Sequence, residues 1–107
     1  MIYMERSDCR PVSLRDASEL LRAFAHPIRL QLLDALRGGE RGVTELVERS
    51  QLPQPMVSRH LAILRSAGVV RCEAVGREKV YGMADRRAQP LLDVLFGGAK
   101  TGKEQPA

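Results

Sequence analysis

Between residues 54 and 68 the apolar positions Val57, Leu61 and Leu64 recur at the spacing of one helical face, with polar or small residues between them. The pattern predicts a short helix with both ends marked. Gln54 stands just outside the first turn, Pro55 fits the first helical position, where no amide donor is needed, and Gly68 supplies the left-handed residue that closes the last turn. Turning away from the apolar stripe leaves Gln54, Ser58, Arg59 and Ala62 on the opposite side. For an isolated helix this would be an ordinary solvated face. It is also a face that can hydrogen-bond base edges or phosphates in a major groove without a bulky apolar obstacle.

The neighbouring patterns decide between these readings. Upstream, residues 43 to 50 make a two-turn helix and Gln51, Leu52 and Pro53 a tight connection, so the pair predicts a helix-turn-helix. Downstream, residues 69 to 75 and 79 to 83 flank Gly76, Arg77 and Glu78 as a β-hairpin with a basic tip. Together they predict a winged helix. Residues 40 to 43 offer a short third strand beside the hairpin, and Thr44 is the candidate N-cap of the first motif helix.

The flanking helices follow the same logic. Ser13 opens a helix, with Asp16 placed as in a capping box and Ala17, Leu20, Leu21 and Phe24 along one face. His26-Pro27 interrupts it, and Pro27 begins a second helix running to Arg37. That helix carries Ile28, Leu30, Leu32, Leu33, Ala35 and Leu36 on more than one side, which predicts a central core scaffold stopped by Gly38-Gly39. After the hairpin Asp85 can cap a turn, and Pro90 predicts a break or restart near Gln89-Pro90. Leu91, Leu92, Val94, Leu95 and Phe96 then form a very apolar last helix, which a small chain would leave exposed unless a partner covers it. The expected fold is therefore mainly α with a small β-hairpin: a winged helix-turn-helix over residues 13–97, dimerising through its first and last helices. A flexible arm over 1–12 and a polar, disordered tail over 98–107 flank it.

Three stretches carry a family resemblance: Ala25-His26-Pro27-Ile28-Arg29-Leu30-Gln31-Leu32-Leu33, residues 57 to 70 from Val57-Ser58-Arg59-His60-Leu61 to Gly68-Val69-Val70, and Gly76-Arg77-Glu78-Lys79-Val80-Tyr81. In that order and spacing, residues 21 to 95 resemble the ArsR/SmtB family of bacterial winged-helix repressors. The resemblance implies a homodimeric transcriptional regulator, most often a repressor, that binds double-stranded operator DNA and is released, or occasionally recruited, by an effector.

Composition agrees with this picture. A chain of 107 residues is one domain, near the size at which partner surface often completes the core. Its formal charge of +4 and pI near 9.6 favour a polyanionic partner. Cys9 and Cys72 are too few for a disulfide framework, the first ten residues lack the apolar core of a signal peptide, and no stretch is long enough to span a bilayer. A cytoplasmic location with no membrane partner is expected. An enzyme is excluded on inventory: there is no glycine-rich phosphate loop, no nucleophile beside a base, and no carboxylate pair in a recognisable motif.

For DNA binding, Gln54, Ser58, Arg59 and His60 are assigned to the groove or its phosphate rims, and Arg77 and Lys79 to the wing's contact with the backbone. His60 serves equally well as a structural histidine at the helix edge, and Arg41, Arg65 and Arg71 are secondary candidates. The effector is less defined. Many members of the resembled family hold a metal through a cysteine pair where this chain has residues 41 to 46 without cysteine. Others use a histidine set on the last helix, of which Asp85 remains while Arg87, Gly98 and Thr101 occupy the other positions. A lone carboxylate beside arginines cannot replace imidazole or thiolate ligands. A transition metal such as nickel, cobalt or zinc would have to use Glu5, Asp8, Cys9 and the terminal amine of the arm. Two alternatives stay open: a winged helix used only for protein contacts, and a thiol redox regulator using Cys9 and Cys72.

Overall fold

The computed structural model describes residues 13–98. The arm over 1–12 and the tail beyond Gly98 lie outside the described residues, and with them the metal candidates Glu5, Asp8 and Cys9. The element order is α1 (Leu14–Phe24), α2 (Pro27–Leu36), β1 (Arg41–Gly42), α3 (Val43–Ser50), α4 (Gln54–Ser66), β2 (Val70–Val75), β3 (Glu78–Met83) and α5 (Ala88–Phe96). No helix among the described residues is long and apolar enough to cross a membrane.

Ser13 caps α1 as expected, its Oγ accepting from the Asp16 amide at 2.9 Å. The buried face of α1 is turned from the expected one: Leu20, Ala23 and Phe24 are buried, whereas Leu21 is 55% exposed. At the far end of the helix, Arg29 of α2 donates from Nε to the Ala23 carbonyl at 2.7 Å and from Nη2 to the Arg22 carbonyl at 3.2 Å, which ties the end of α1 to α2. His26 caps α2 through Nδ1, which accepts from the Ile28 amide at 3.1 Å, and Pro27 sits where its missing N–H costs nothing. Leu32, Leu33 and Leu36 of α2 meet Leu46, Val57, Leu61, Leu64 and Leu92 in a single core, so α2 is the central scaffold helix. Each such buried side chain contributes about 1.5–3 kcal/mol relative to exposure.

The motif helices are joined by a turn with its own hydrogen bonds. Gln51 adopts the left-handed φ of 62° that closes α3, while the Ser50 hydroxyl donates to the Val47 carbonyl and accepts from the Leu52 amide. At the other end, α3 does not begin at Thr44. Its N-cap residue is Gly42, and the amide of Thr44 is satisfied by Glu78 Oε2 at 3.0 Å, a carboxylate brought across from β3. A Cβ on Gly42 would collide with that carboxylate, so the glycine leaves room for a cap supplied from the wing.

The sheet has the order β1-β3-β2, all antiparallel, with Arg41 opposite Tyr81 and Cys72 opposite Tyr81 on the other side. The short third strand is thus present, although Val43 already belongs to α3. Val75 pairs with Glu78, which leaves Gly76-Arg77 as a two-residue loop, and Gly76 takes the positive φ of 64° suited to the first position of such a turn. After β3 the Asp85 carboxylate accepts from the Arg87 amide at 2.9 Å, and α5 restarts at Ala88 with Pro90 in its first turn.

The last helix is tied to the body by one buried cation. Arg37, its side chain 5% exposed, donates from Nε to Asp34 at 2.9 Å and from Nη1 to Asp93 at 2.7 Å and the Gly98 carbonyl at 2.8 Å. Its guanidinium also lies 5.7 Å from the centre of the Phe96 ring. Burial alone would lower its pKa, but the hydrogen bonds to Asp93 and Asp34 outweigh that and hold it above the ordinary value.

Candidate nucleic-acid interface

The outer surface of α4 is divided by a crest of short side chains. Ser58 and Ser66 stand four residues either side of Ala62, one row along the helix. On one flank, Gln54, Ser58, Ala62, Arg65 and Ser66 face an open groove of about 1140 Å³ whose far wall is the hairpin, with Val75, Arg77, Glu78 and Lys79, and whose floor reaches Val43, Thr44 and Tyr81. On the other flank, Arg59, Ala62, Ile63, Ser66 and Ala67 border a hollow of about 700 Å³ against Glu19, Arg22 and Ala23 of α1 and Arg29 of α2. Ala62 and Ser66 line both spaces, so they mark the ridge between them.

Of the residues assigned from sequence, Gln54, Ser58, Arg77 and Lys79 come together in the wing-side groove, where Arg65 joins them. Arg59 is exposed but lies on the opposite flank. His60 is in neither. It is 8% exposed, faces inward, and packs against His26 with ring centroids 4.5 Å apart and the rings tilted at 45°. The helical period explains the difference: His60 falls between the core positions Val57, Leu61 and Leu64, and the α1–α2 corner covers it. Its assignment to the groove gives way to a structural role, though not a fully satisfied one, since Nδ1 is buried without a hydrogen-bond partner among the described residues. Burial pulls the His60 pKa below its ordinary value, and His26, Arg29 and Arg59 push the same way.

The secondary candidates separate as clearly. Arg41 is committed to the Ala35 carbonyl at 2.6 Å and to Glu45 at 2.7 Å, and Arg71 to Glu40 at 2.6 Å, so only Arg65 of that group offers its charge to the groove. Glu78 is the residue missed from sequence. It stands between Arg77 and Lys79 in the groove wall, and its carboxylate accepts from the Thr44 amide, which ties the wing tip to the start of α3 and engages that negative charge in a cap. Tyr81 closes the groove floor. Burial, then the Cys72 side chain opposite, raises its pKa, so the hydroxyl remains a protonated donor.

Among the described residues no three His, Cys, Asp or Glu side chains stand close enough together to hold a metal ion. Asp85 in particular is occupied by Arg87, which donates to it from Nε at 3.0 Å and Nη2 at 2.7 Å. Those bonds hold the carboxylate below its ordinary pKa against the opposing effect of burial. Among the described residues near α5 the donors therefore do not suit a transition metal, which would have to displace a guanidinium from Asp85. Cys72 is a free thiol, half-buried against the core.

Comparison with known proteins places this geometry. The family described as "Bacterial regulatory protein, arsR family" matches residues 26–71, from the α2 cap to the first wing strand. The HTH-type transcriptional repressor SmtB of Mycobacterium tuberculosis is 49% identical over 80 residues, which are 74% of this chain and 59% of that one. The chain thus spans less than two thirds of that repressor's length. The biofilm growth-associated repressor of Xylella fastidiosa is 31% identical over 104 residues, covering 90% of this chain and 91% of its own. Among solved structures, HlyU from Vibrio cholerae superposes with a TM-score of 0.73 at 33% identity, covering 76% of this chain and 88% of that one. The homodimeric winged helix-turn-helix DNA-binding domain Mb0332 from Mycobacterium bovis superposes with a TM-score of 0.70 at 28% identity, covering 77% and 76%. The family is one of bacterial regulatory proteins, and the SmtB and biofilm-associated relatives are named as repressors. With its central α2, its helix-turn-helix and its three-stranded wing, the chain belongs to the ArsR/SmtB family of winged helix-turn-helix regulators.

Proposed function

We propose that this chain is a sequence-specific transcriptional repressor that binds operator DNA as a homodimer, with its affinity set by an effector. The observation that carries the reading is the crest of α4. Short side chains there permit close approach to base edges, and Gln54 and Ser58 offer hydrogen bonds beside a wall carrying Arg65, Arg77 and Lys79. In this reading Gln54 and Ser58 contact bases, while Arg77, Lys79, Arg65 and Arg59 contact phosphates. The repressor names of the SmtB and biofilm-associated relatives support it.

The homodimer rests on exposed apolar surface. Leu14 and Leu21 of α1, and Val94, Leu95 and Phe96 of α5, are all exposed, Val94 to 81%. The homodimeric state of the Mycobacterium bovis domain supports a dimer of this chain. Two-fold symmetry would set paired recognition helices about 34–36 Å apart, for half-sites one helical turn apart. The arm and tail are read as accessory to this domain, and the effector as acting outside the two metal positions usual in the family.

Selection of bound duplexes from a random pool tests the function: the expected result is an enriched, two-fold symmetric sequence. Recovery of an unenriched pool would reject it. Light scattering tests the dimer with Val94→Glu, which is expected to give a folded monomer. Leu92→Glu is unsuited, because Leu92 is fully buried in its own core. A wild-type monomer at high concentration would refute the interface.

A further inference from the structure

A duplex major groove is about 12 Å wide, and a helix with its side chains is about 10–12 Å across. A helix lying in the groove therefore meets a phosphate backbone on both flanks. The wing accounts for only one of them. On the other flank the hollow between α4, α1 and α2 is bordered by Arg22, Arg29 and Arg59 against the one carboxylate of Glu19. We propose that Arg22, Arg29 and Arg59 form a second cationic wall that grips the DNA strand across the groove from the wing.

The wall rests on the DNA-binding reading above and adds to it a second backbone contact in which Arg22 of α1 and Arg29 of α2, both outside the helix-turn-helix and the wing, act beside Arg59 of α4. Its members divide the work. Arg29 is half-buried and already donates to the Ala23 and Arg22 carbonyls, so it supplies a fixed charge from below and holds the end of α1 in place. Arg22 and Arg59 are exposed, and their guanidinium groups have no hydrogen bond or ion pair among the described residues. Both can turn to a phosphate without giving up an internal partner. Arg29 and Arg59 also both act on His60, which places the two charges around the same stretch of α4. The crest of Ala62 and Ser66 separates this wall from the groove containing Arg65, Arg77 and Lys79, so the recognition helix carries cations on both sides of a small, nearly uncharged ridge. Two opposed walls would fix the helix laterally in the groove, a positioning that one wall cannot give.

The test is binding of the full chain to a random-sequence duplex across a salt series, which needs no knowledge of the operator. Arg22→Ala is expected to reduce the slope of log affinity against log salt by about one phosphate contact, so that between 50 and 200 mM salt the wild type loses about 3.5-fold more affinity than the variant. Arg22→Glu should lower the slope at least as far, and Arg22→Lys should restore it. Arg15→Ala, on the same helix but outside the hollow, should leave the slope unchanged. Thermal melts like that of the wild type confirm that each variant is folded. An unchanged slope in Arg22→Ala and Arg22→Glu, with a reduced slope in Arg77→Ala, would overturn the wall while leaving the DNA-binding reading intact. An equal loss in Arg15→Ala would also overturn it, since general charge would then account for the effect. Failure of the wild type to bind any duplex at low salt would remove both proposals together.

Discussion

Removing the Arg37 guanidinium should detach α5 from the body, and the size of the loss follows from its contacts. The side chain is 5% exposed and makes three charge-assisted hydrogen bonds, to Asp34, Asp93 and the Gly98 carbonyl. Breaking a fully buried pair costs about 3–5 kcal/mol. Here the acceptors are less enclosed, with Asp34 33% and Asp93 26% exposed on their side chains, so water can recover part of their solvation. Taking about 1–1.5 kcal/mol for each carboxylate link, and about 0.5–1 kcal/mol for the lost contact with Phe96, gives about 3 kcal/mol for Arg37→Ala. Arg37→Met retains the stem and should lose about 2 kcal/mol, and Asp93→Asn about 1 kcal/mol. The assay is urea unfolding followed by circular dichroism at one fixed protomer concentration, because association would otherwise shift the midpoint. In a domain of this size Arg37→Ala should lower Tm by about 12 °C or more. A loss below about 1 kcal/mol for Arg37→Ala would refute the reasoning, since the network would then contribute no more than an exposed ion pair.

Two further predictions follow from the caps and the buried histidine. Burial lowers the pKa of His60 in the folded chain, so as pH falls below its unfolded pKa of about 6.5 the unfolded chain binds more protons than the folded one. Stability should therefore be full above that value and fall as pH drops through the lowered folded pKa, a decline that His60→Gln should flatten; urea midpoints from pH 8 to 5 that stay level or rise on acidification would contradict it. Glu78→Ala should remove the cap on Thr44, cost about 1 kcal/mol and speed hydrogen exchange at that amide. Gly42→Ala should do the same by displacing the carboxylate, and slow exchange retained in both variants would show that the cap does not act.

Periodicity made the fold legible because each element carries its own end signals. Ser13, the His26-Pro27 corner, Gly68 and Gly76 are local, and each does in the structure what its neighbours in sequence imply. One departure is local: α4 begins one residue early, with Pro53 rather than Gln54 as its N-cap. The others are long-range. Thr44 has the composition of an N-cap, but the cap comes from Glu78, 34 residues later, and only the fold brings the two together. His60 sits one residue from Arg59 in an apparently polar stretch, yet a turn of about 100° separates exposed from buried, and the covering surface is the corner at His26. The same holds for the basic residues. Charge alone ranks Arg41, Arg65 and Arg71 together, whereas the carboxylates of Glu45 and Glu40 remove two of them and leave Arg65 at the groove. Arg22 shows no DNA-binding signature in sequence, because only the packing of α1 in the fold brings it beside α4.

Comparative binding by Gln54→Ala and Arg77→Ala tests the central claim most directly. Each variant is titrated against the selected operator and a random duplex at one salt concentration, and the ratio of the two affinities is compared with that of the wild type. The account predicts that Arg77→Ala weakens both duplexes alike and keeps the ratio, as expected for a wing cation on phosphate. Gln54→Ala should lower the ratio by about 1–3 kcal/mol, as expected for a crest residue on a base edge. Ratios unchanged in both variants, or a wild type that does not distinguish the two duplexes, would contradict the account.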